Sequence, residues 1–200
     1  MRLSRSAHAS RPWRIHEITH DFRLEDVWAL PTPGGRDDFP LLVKMVTSLD
    51  PGRSASLPVR TLFSAREKLG GLLGLDDPST GIGERVDSLR HRLPPDLRDT
   101  AGAQEFETVP FDPLYLTGDE FAAETANRTV HGVIHVGWVP DGDGYRGQLA
   151  ILVKRNGLLG SAYMAAITPF RYLVVYPTLM REFGRAWERV LTADRAAGRA

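Results

Sequence analysis

At 200 residues, 42% apolar and 25% charged, the chain is long enough for one domain with a full hydrophobic core. Acidic and basic residues balance at 25 each, so no net field points to nucleic acid. Cysteine is absent, which excludes disulfides, thiolate metal sites and a cysteine nucleophile and fits a cytoplasmic location; no apolar run approaches the roughly 20 residues that span a bilayer.

Residues 1–11 are basic without the apolar stretch of a secretory signal, and read as a flexible leader before a single domain over 12–192. Residues 193–200 read as a frayed tail. Residues 13–18 have strand-like content and open the predicted sheet. Residues 22–30 read as a short helix, with Phe22, Val27, Ala29 and Leu30 apolar among acidic neighbours, ended by Pro31-Thr-Pro-Gly-Gly35. Residues 41–49 form an apolar, β-branched run of strand length, followed by the turn signal Asp50-Pro-Gly52. A helix is predicted over 56–75, capped by Ser56 with Pro58 in its first turn and weakened by Gly70, Gly71 and Gly74. Residues 76–100 read as a long polar loop with a short helix near 84–91. The Gly81-Ile-Gly83 pair has no full glycine fingerprint and no following Lys-Ser/Thr, so it reads as a turn.

From residue 106 the pattern becomes β. Strands are predicted near 106–116, 120–126, 129–139 and 145–154, punctuated by Thr117-Gly-Asp119, Asn127-Arg128 and Pro140-Asp-Gly-Asp-Gly144, which gives an antiparallel meander. After Asn156-Gly157 a helical stripe runs over 158–191: Leu159, Ala162, Ala166, Phe170, Leu173, Pro177, Met180, Gly184, Trp187 and Leu191. Pro169 and Pro177 predict a bend or break in it. A meander that hands over to a long C-terminal helix predicts an α+β fold, a curved antiparallel sheet wrapped around that helix with a cavity between them.

The strand over 129–139 sorts its chemistry by alternation. Val130, Ile134, Val136 and Trp138 share one face; Thr129, His131, Val133 and His135 share the other. Two histidines four apart on a strand stand about 13 Å apart and do not chelate one ion, so no metal site is predicted. Either His131 or His135 can serve singly as an acid or base, with Glu124 on the neighbouring strand as helper. The plainer reading makes them polar residues on a half-exposed sheet face. No Gly-x-Ser-x-Gly elbow is present, and Asp37-Asp38 and Asp76-Asp77 lack calcium-loop spacing. If sheet and helix enclose a cavity, Trp138 or the two histidines line it from the sheet, whichever face is concave, and Tyr163, Ile167, Phe170 and Met180 line it from the helix. An apolar stripe of this kind is also what ordinary core packing needs.

The blocks Asn127-Arg-Thr-Val-His-Gly-Val-Ile-His135, Gly137-Trp138, Tyr145-Arg-Gly-Gln-Leu-Ala-Ile-Leu-Val-Lys154, Asn156-Gly-Leu-Leu-Gly160 and Tyr163-Met-Ala-Ala-Ile-Thr-Pro-Phe-Arg-Tyr-Leu-Val-Val-Tyr-Pro177 together resemble a bacterial family catalogued as domain of unknown function 2867. The resemblance covers most of 12–190, with its specific part at the C-terminal end. It implies a helix-grip, START-like fold. That superfamily includes lipid and hormone binders, cyclases and dehydratases, and some family members are appended to short-chain-dehydrogenase-like proteins. This chain has no Rossmann glycine motif, so no NAD or other cofactor is implied.

Three functional readings follow. The first is binding of a small apolar or amphipathic molecule between sheet and helix. The second is a cyclase- or dehydratase-type enzyme using His131 or His135, which needs the histidine face to point inward. The third is an interaction module in which the helix over 56–75 offers an apolar patch to a partner or a second copy, as in a homodimer.

Overall fold

The computed structural model describes residues 1–50, 82–83, 86–100, 105–127, 129–157 and 171–197. The helix predicted over 56–75 and the first half of the long helical stripe lie outside these residues, as do Tyr163, Ile167 and Phe170.

The architecture is α+β. Strands β1 (Arg23–Ala29), β2 (Asp112–Leu116), β3 (Glu120–Ala126), β4 (Val130–Asp141) and β5 (Gly144–Arg155) form one curved antiparallel sheet in the order β1-β5-β4-β3-β2. The four later strands form the predicted meander. The β4–β5 hairpin is twelve residues long on each side, and its turn places Gly142 at φ 58°, where a side chain would be strained.

Three early expectations are corrected. Residues 22–30 are not a helix: β1 pairs with β5 from Arg23↔Val153 to Ala29↔Gln148. Without β1, β5 would be an open edge, and pairing overrides the local composition. Residues 41–49 are not a strand: 41–47 lie in helix α3 (Phe39–Thr47; α1, Ser6–Ala9, and α2, Ile15–Ile18, precede it) and Ser48 is its C-cap. Its exposed positions, Pro40, Lys44 and Ser48, recur every four residues, while Phe39, Leu42, Val43 and Val46 are buried at helical spacing. Residues 13–18 are not a strand either. They end in the short helix α2 (Ile15–Ile18), whose two isoleucines are fully buried.

The C-terminal helix α4 (Tyr176–Ala197) runs for 22 residues and is preceded by a π-helical turn, Arg171–Val175. Pro177 follows closely on that turn and lacks the N–H that would bond back into it, so the disturbance expected there takes the form of a change of helix type. Tyr176, Phe183, Ala186 and Trp187 are buried, whereas Met180 and Gly184 are only half-buried. The buried face is therefore rotated from the predicted stripe and shares Trp187 with it.

Helices α3 and α4 cover one face of the sheet. There Trp28, Phe121, Val136, Trp138 and Leu149 pack against Phe39, Leu42, Phe183 and Trp187. The opposite face is covered too, by the N-terminal segment and by two 3-10 turns, Leu89–Arg92 and Pro95–Leu97. Val27, Tyr115, Val133, Val139, Ala150 and Leu152 meet Trp13, Ile15, Ile18, Leu89 and Leu93 there. Gly137 makes this second contact possible, because a Cβ would stand 2.7 Å from the Trp13 indole. Residues 1–11, expected as a leader, are docked on the domain. Leu3 N–H donates to the Val27 carbonyl at 2.8 Å on the outer edge of β1, and α1 (Ser6–Ala9) lays His8 onto the sheet. The expected tail also differs, since α4 continues to Ala197.

Candidate functional site

Strand alternation divides the polar and apolar chemistry between the two faces. On the helix side an apolar cavity of about 220 Å³ opens between the sheet, the end of α3 and the start of α4. Ile134, Leu149 and Ile151 line it from the sheet, Val46 and Leu49 from α3 and its exit, and Leu179 and Phe183 from α4. Phe106 and Phe111 close a further side, and the Asp50 and Glu182 carboxylates belong to its wall. Trp138 does not line this cavity. Its indole N–H donates to the Gly35 carbonyl at 3.0 Å while its ring packs on Tyr145 and Trp187. Met180 lies elsewhere as well, in an open groove with Pro31, Gly184 and Arg185.

A buried carboxylate stands at the β1 end of the same face. A bulge between Leu24 and Asp26 turns Asp26 under the π-helical turn. There it accepts from the Tyr176 hydroxyl at 2.7 Å and from the Tyr172 hydroxyl, with the Arg2 guanidinium 3.7 Å away.

The opposite face carries a buried polar network. The register places Glu120 opposite Gly137 and Glu124 opposite Val133, so each glutamate meets a histidine on the diagonal. His131 Nε2 lies 2.7 Å from Glu124 Oε2, and His135 Nε2 lies 2.9 Å from Glu120 Oε2. All four side chains are buried. Two of the three sequence-proposed catalytic residues, His131 and Glu124, thus meet, and His135 pairs with Glu120 instead. Glu124 also accepts from Ser88 Oγ at 2.6 Å and from the Leu89 N–H, which secures the 3-10 turn beneath it. Glu120 accepts from the Tyr115 hydroxyl and the Arg14 N–H, both at 2.9 Å.

Burial works against the Glu120 charge, but His135, the Arg14 N–H and the Tyr115 hydroxyl outweigh it and hold the carboxyl below its usual range. Burial pushes His135 down in turn, opposed by Glu120, so the imidazole is neutral. Burial, reinforced by Glu120, pushes the Tyr115 hydroxyl up and keeps it a donor. The tautomers follow from a carboxylate that can only accept. His135 donates through Nε2–H, and its Nδ1 accepts from His8 Nε2–H at 3.1 Å. Burial, with His135 and His16 nearby, draws His8 down to about 2. The line runs Glu120, His135, His8 and stops at His8 Nδ1, which is buried with no hydrogen-bond partner among the described residues.

Sequence reading missed Glu120, Tyr115 and His8. The available signal was the pairing of Glu-x3-Glu on β3 with His-x3-His on β4. In an antiparallel hairpin that spacing brings the two kinds together twice. Among the described residues no three His, Asp or Glu side chains converge as metal ligands. No helix among them is long and apolar enough to cross a membrane.

Fold and site define an α+β domain whose sheet is covered on both faces, apolar under the helices and polar under the N-terminal segment. The chain belongs to the family described as "Protein of unknown function (DUF2867)", whose model matches residues 18–178. That span holds all five strands, both glutamate–histidine pairs and the cavity apart from its far α4 wall. No curated protein and no solved structure matches the chain.

Proposed function

We propose that this protein binds a small apolar or amphipathic molecule in the cavity between the sheet and the C-terminal helix. The observation that carries this reading is the cavity of about 220 Å³, walled by aliphatic and phenylalanine side chains from four separate parts of the chain. A void of this size at a well-packed face forgoes dispersion contacts that an apolar occupant restores. It lies below the ~300–1,000 Å³ of most ligand pockets, which favours a compact ligand or one whose end protrudes past Asp50 and Glu182.

The test is denaturing extraction of the purified protein followed by mass spectrometry, repeated on Ile134→Phe, which fills the cavity from the sheet side. A compound recovered in stoichiometric amount from the native chain and lost from Ile134→Phe supports the reading. If both extracts are empty, and a neutral fluorescent apolar probe binds both proteins equally, the proposal fails.

The acid–base reading draws no support from this cavity. His131, His135 and Glu124 lie across the sheet from it and are closed over by Trp13, Phe22 and the 3-10 turn at Leu89–Arg92. An enzyme using them would have to admit substrate from that other side.

A further inference from the structure

We propose that the N-terminal segment 4–12, which carries α1, is an acid-released cover over the histidine face of the sheet. Within this stretch His8 alone is buried, at 0% exposure; every other residue is exposed or half-exposed. Its remaining side-chain ties to the sheet are long: Gln148 Nε2 to the Ala7 carbonyl and Arg5 to the Glu25 carbonyl, each at 3.4 Å. One imidazole is therefore the anchor of the whole segment, and it is a titratable one.

The surroundings of His8 exclude a second proton. His135 from β4 and His16 from α2 meet it edge-on, with ring centroids 4.9 and 5.0 Å away, and Trp13 flanks it at 6.3 Å. From β5 comes Gln148, which is neutral. The nearest carboxylate, Glu120 on β3, is already engaged by His135, by Tyr115 of β2 and by the Arg14 N–H. Asp119 acts on His135 from farther off. Arg14 is held by Glu17 and Asp96, and Arg11 lies over Trp13. A proton placed on His8 Nδ1 would thus be a buried cation with no carboxylate partner and no hydrogen bond at that nitrogen among the described residues, a state that the closed form rejects and the open form accepts.

The sign follows from linkage. His8 lies far below the ordinary histidine value of 6.5 when closed, because of burial first and then His135 and His16, and it returns to that value when open. The open form binds more protons, so the cover is fully held above pH 6.5 and loosens as pH falls below it. His8 alone makes the opening constant rise about tenfold per pH unit, and His135, also lowered by burial and uncovered by the same movement, steepens it further. The exposed Arg14–Asp96 pair does not interfere, since Arg14 holds the Asp96 carboxyl below its usual range.

Hydrogen exchange on the full chain between pH 5 and 8, corrected for intrinsic rates, tests this. The amides of Ala7 to Arg11, bonded within the segment, should open about tenfold or more per unit below 6.5, while those of α3 do not change. In His8→Phe, which keeps a ring in the socket and removes its proton, the slope should fall by the His8 share of about tenfold per pH unit, leaving only the part that His135 supplies. A flat wild-type profile, or an unchanged slope in His8→Phe, overturns the proposal. Should His8→Phe fail to fold, the imidazole titration followed by NMR in the unaltered chain decides. His8 resonances shifting only in step with the loss of segment protection support it, and a free titration at 6.5 with protection intact overturns it.

Discussion

The two faces of this sheet are built from the same strands yet solve burial in different ways. Under α3 and α4 the contacts are almost wholly apolar and leave a cavity of about 220 Å³. Under the N-terminal segment they are close and partly polar, with two glutamate–histidine pairs enclosed among Trp13, Phe22 and Tyr115. Apolar contacts are non-directional, so a void on the helix side lowers stability gradually and leaves room for a guest. Buried ionisable groups are directional: each needs its partner in place, and losing one strands another. Under the two proposals made above, the helix side exchanges its contents and the segment side holds one arrangement until a proton disturbs it.

The largest effect separating the faces should come from Glu124→Ala. It removes the acceptor of His131, Ser88 and the Leu89 N–H together, and breaking a buried pair in this way costs about 3–5 kcal/mol. Urea denaturation should show that loss, whereas a cost within experimental error would mean that water replaces the carboxylate. A sharper comparison uses neighbours on β4. Val133→Phe drives a ring into the filled segment side and should cost about 1–3 kcal/mol, while Ile134→Phe points into the cavity and should change stability by less than half as much. Equal costs, measured in parallel, would remove the distinction between a packed face and a hollow one.

How much of this was legible depended on whether the signal was local. The meander was readable because its turns and alternation are written within a few residues, as at Pro140-Asp-Gly-Asp-Gly144. The faces of β4 were readable too, since Ile134 and Trp138 do face the helices while His131 and His135 face the other way. It was not readable that the second face would also be covered, because its cover comes from residues 1–20 and 86–97, far away in sequence. The choice between an inward and a surface-exposed histidine face was therefore incomplete, for both faces are buried. The strand β1 was misread for the same reason: its identity comes from β5, more than 100 residues later. The run at 41–49 was a different failure. Its β-branched content outweighed a four-residue spacing of exposed positions that was already visible in Pro40, Lys44 and Ser48. Residues 1–11 look like a loose leader because their one fully buried side chain is a histidine, and their pairing with β1 runs through the backbone of Met1 and Leu3.

Asp26 is the exception that qualifies the contrast between faces, because it places a buried carboxylate on the helix side. The bulge at Leu24/Asp26 makes this possible by shifting the alternation of β1, and two phenols from the π-helical turn and the first residue of α4 receive it. Tyr176 has two roles here: its ring is part of the cavity wall, and its hydroxyl ties α4 to β1. Tyr176→Phe separates them. The ring stays and the charged hydrogen bond goes, which should cost about 1.5 kcal/mol, well below the loss in Glu124→Ala because Tyr172 still donates to Asp26. A double-mutant cycle with Asp26→Asn isolates that bond and should return a coupling of about 1 kcal/mol. If the coupling is zero, the phenol is held by its ring alone, and the cavity wall owes its position to packing on Trp28, whose ring centroid lies 4.4 Å away. If the coupling is present while ligand recovery is unchanged, the polar tie sets where α4 begins and the apolar wall alone sets what the cavity holds.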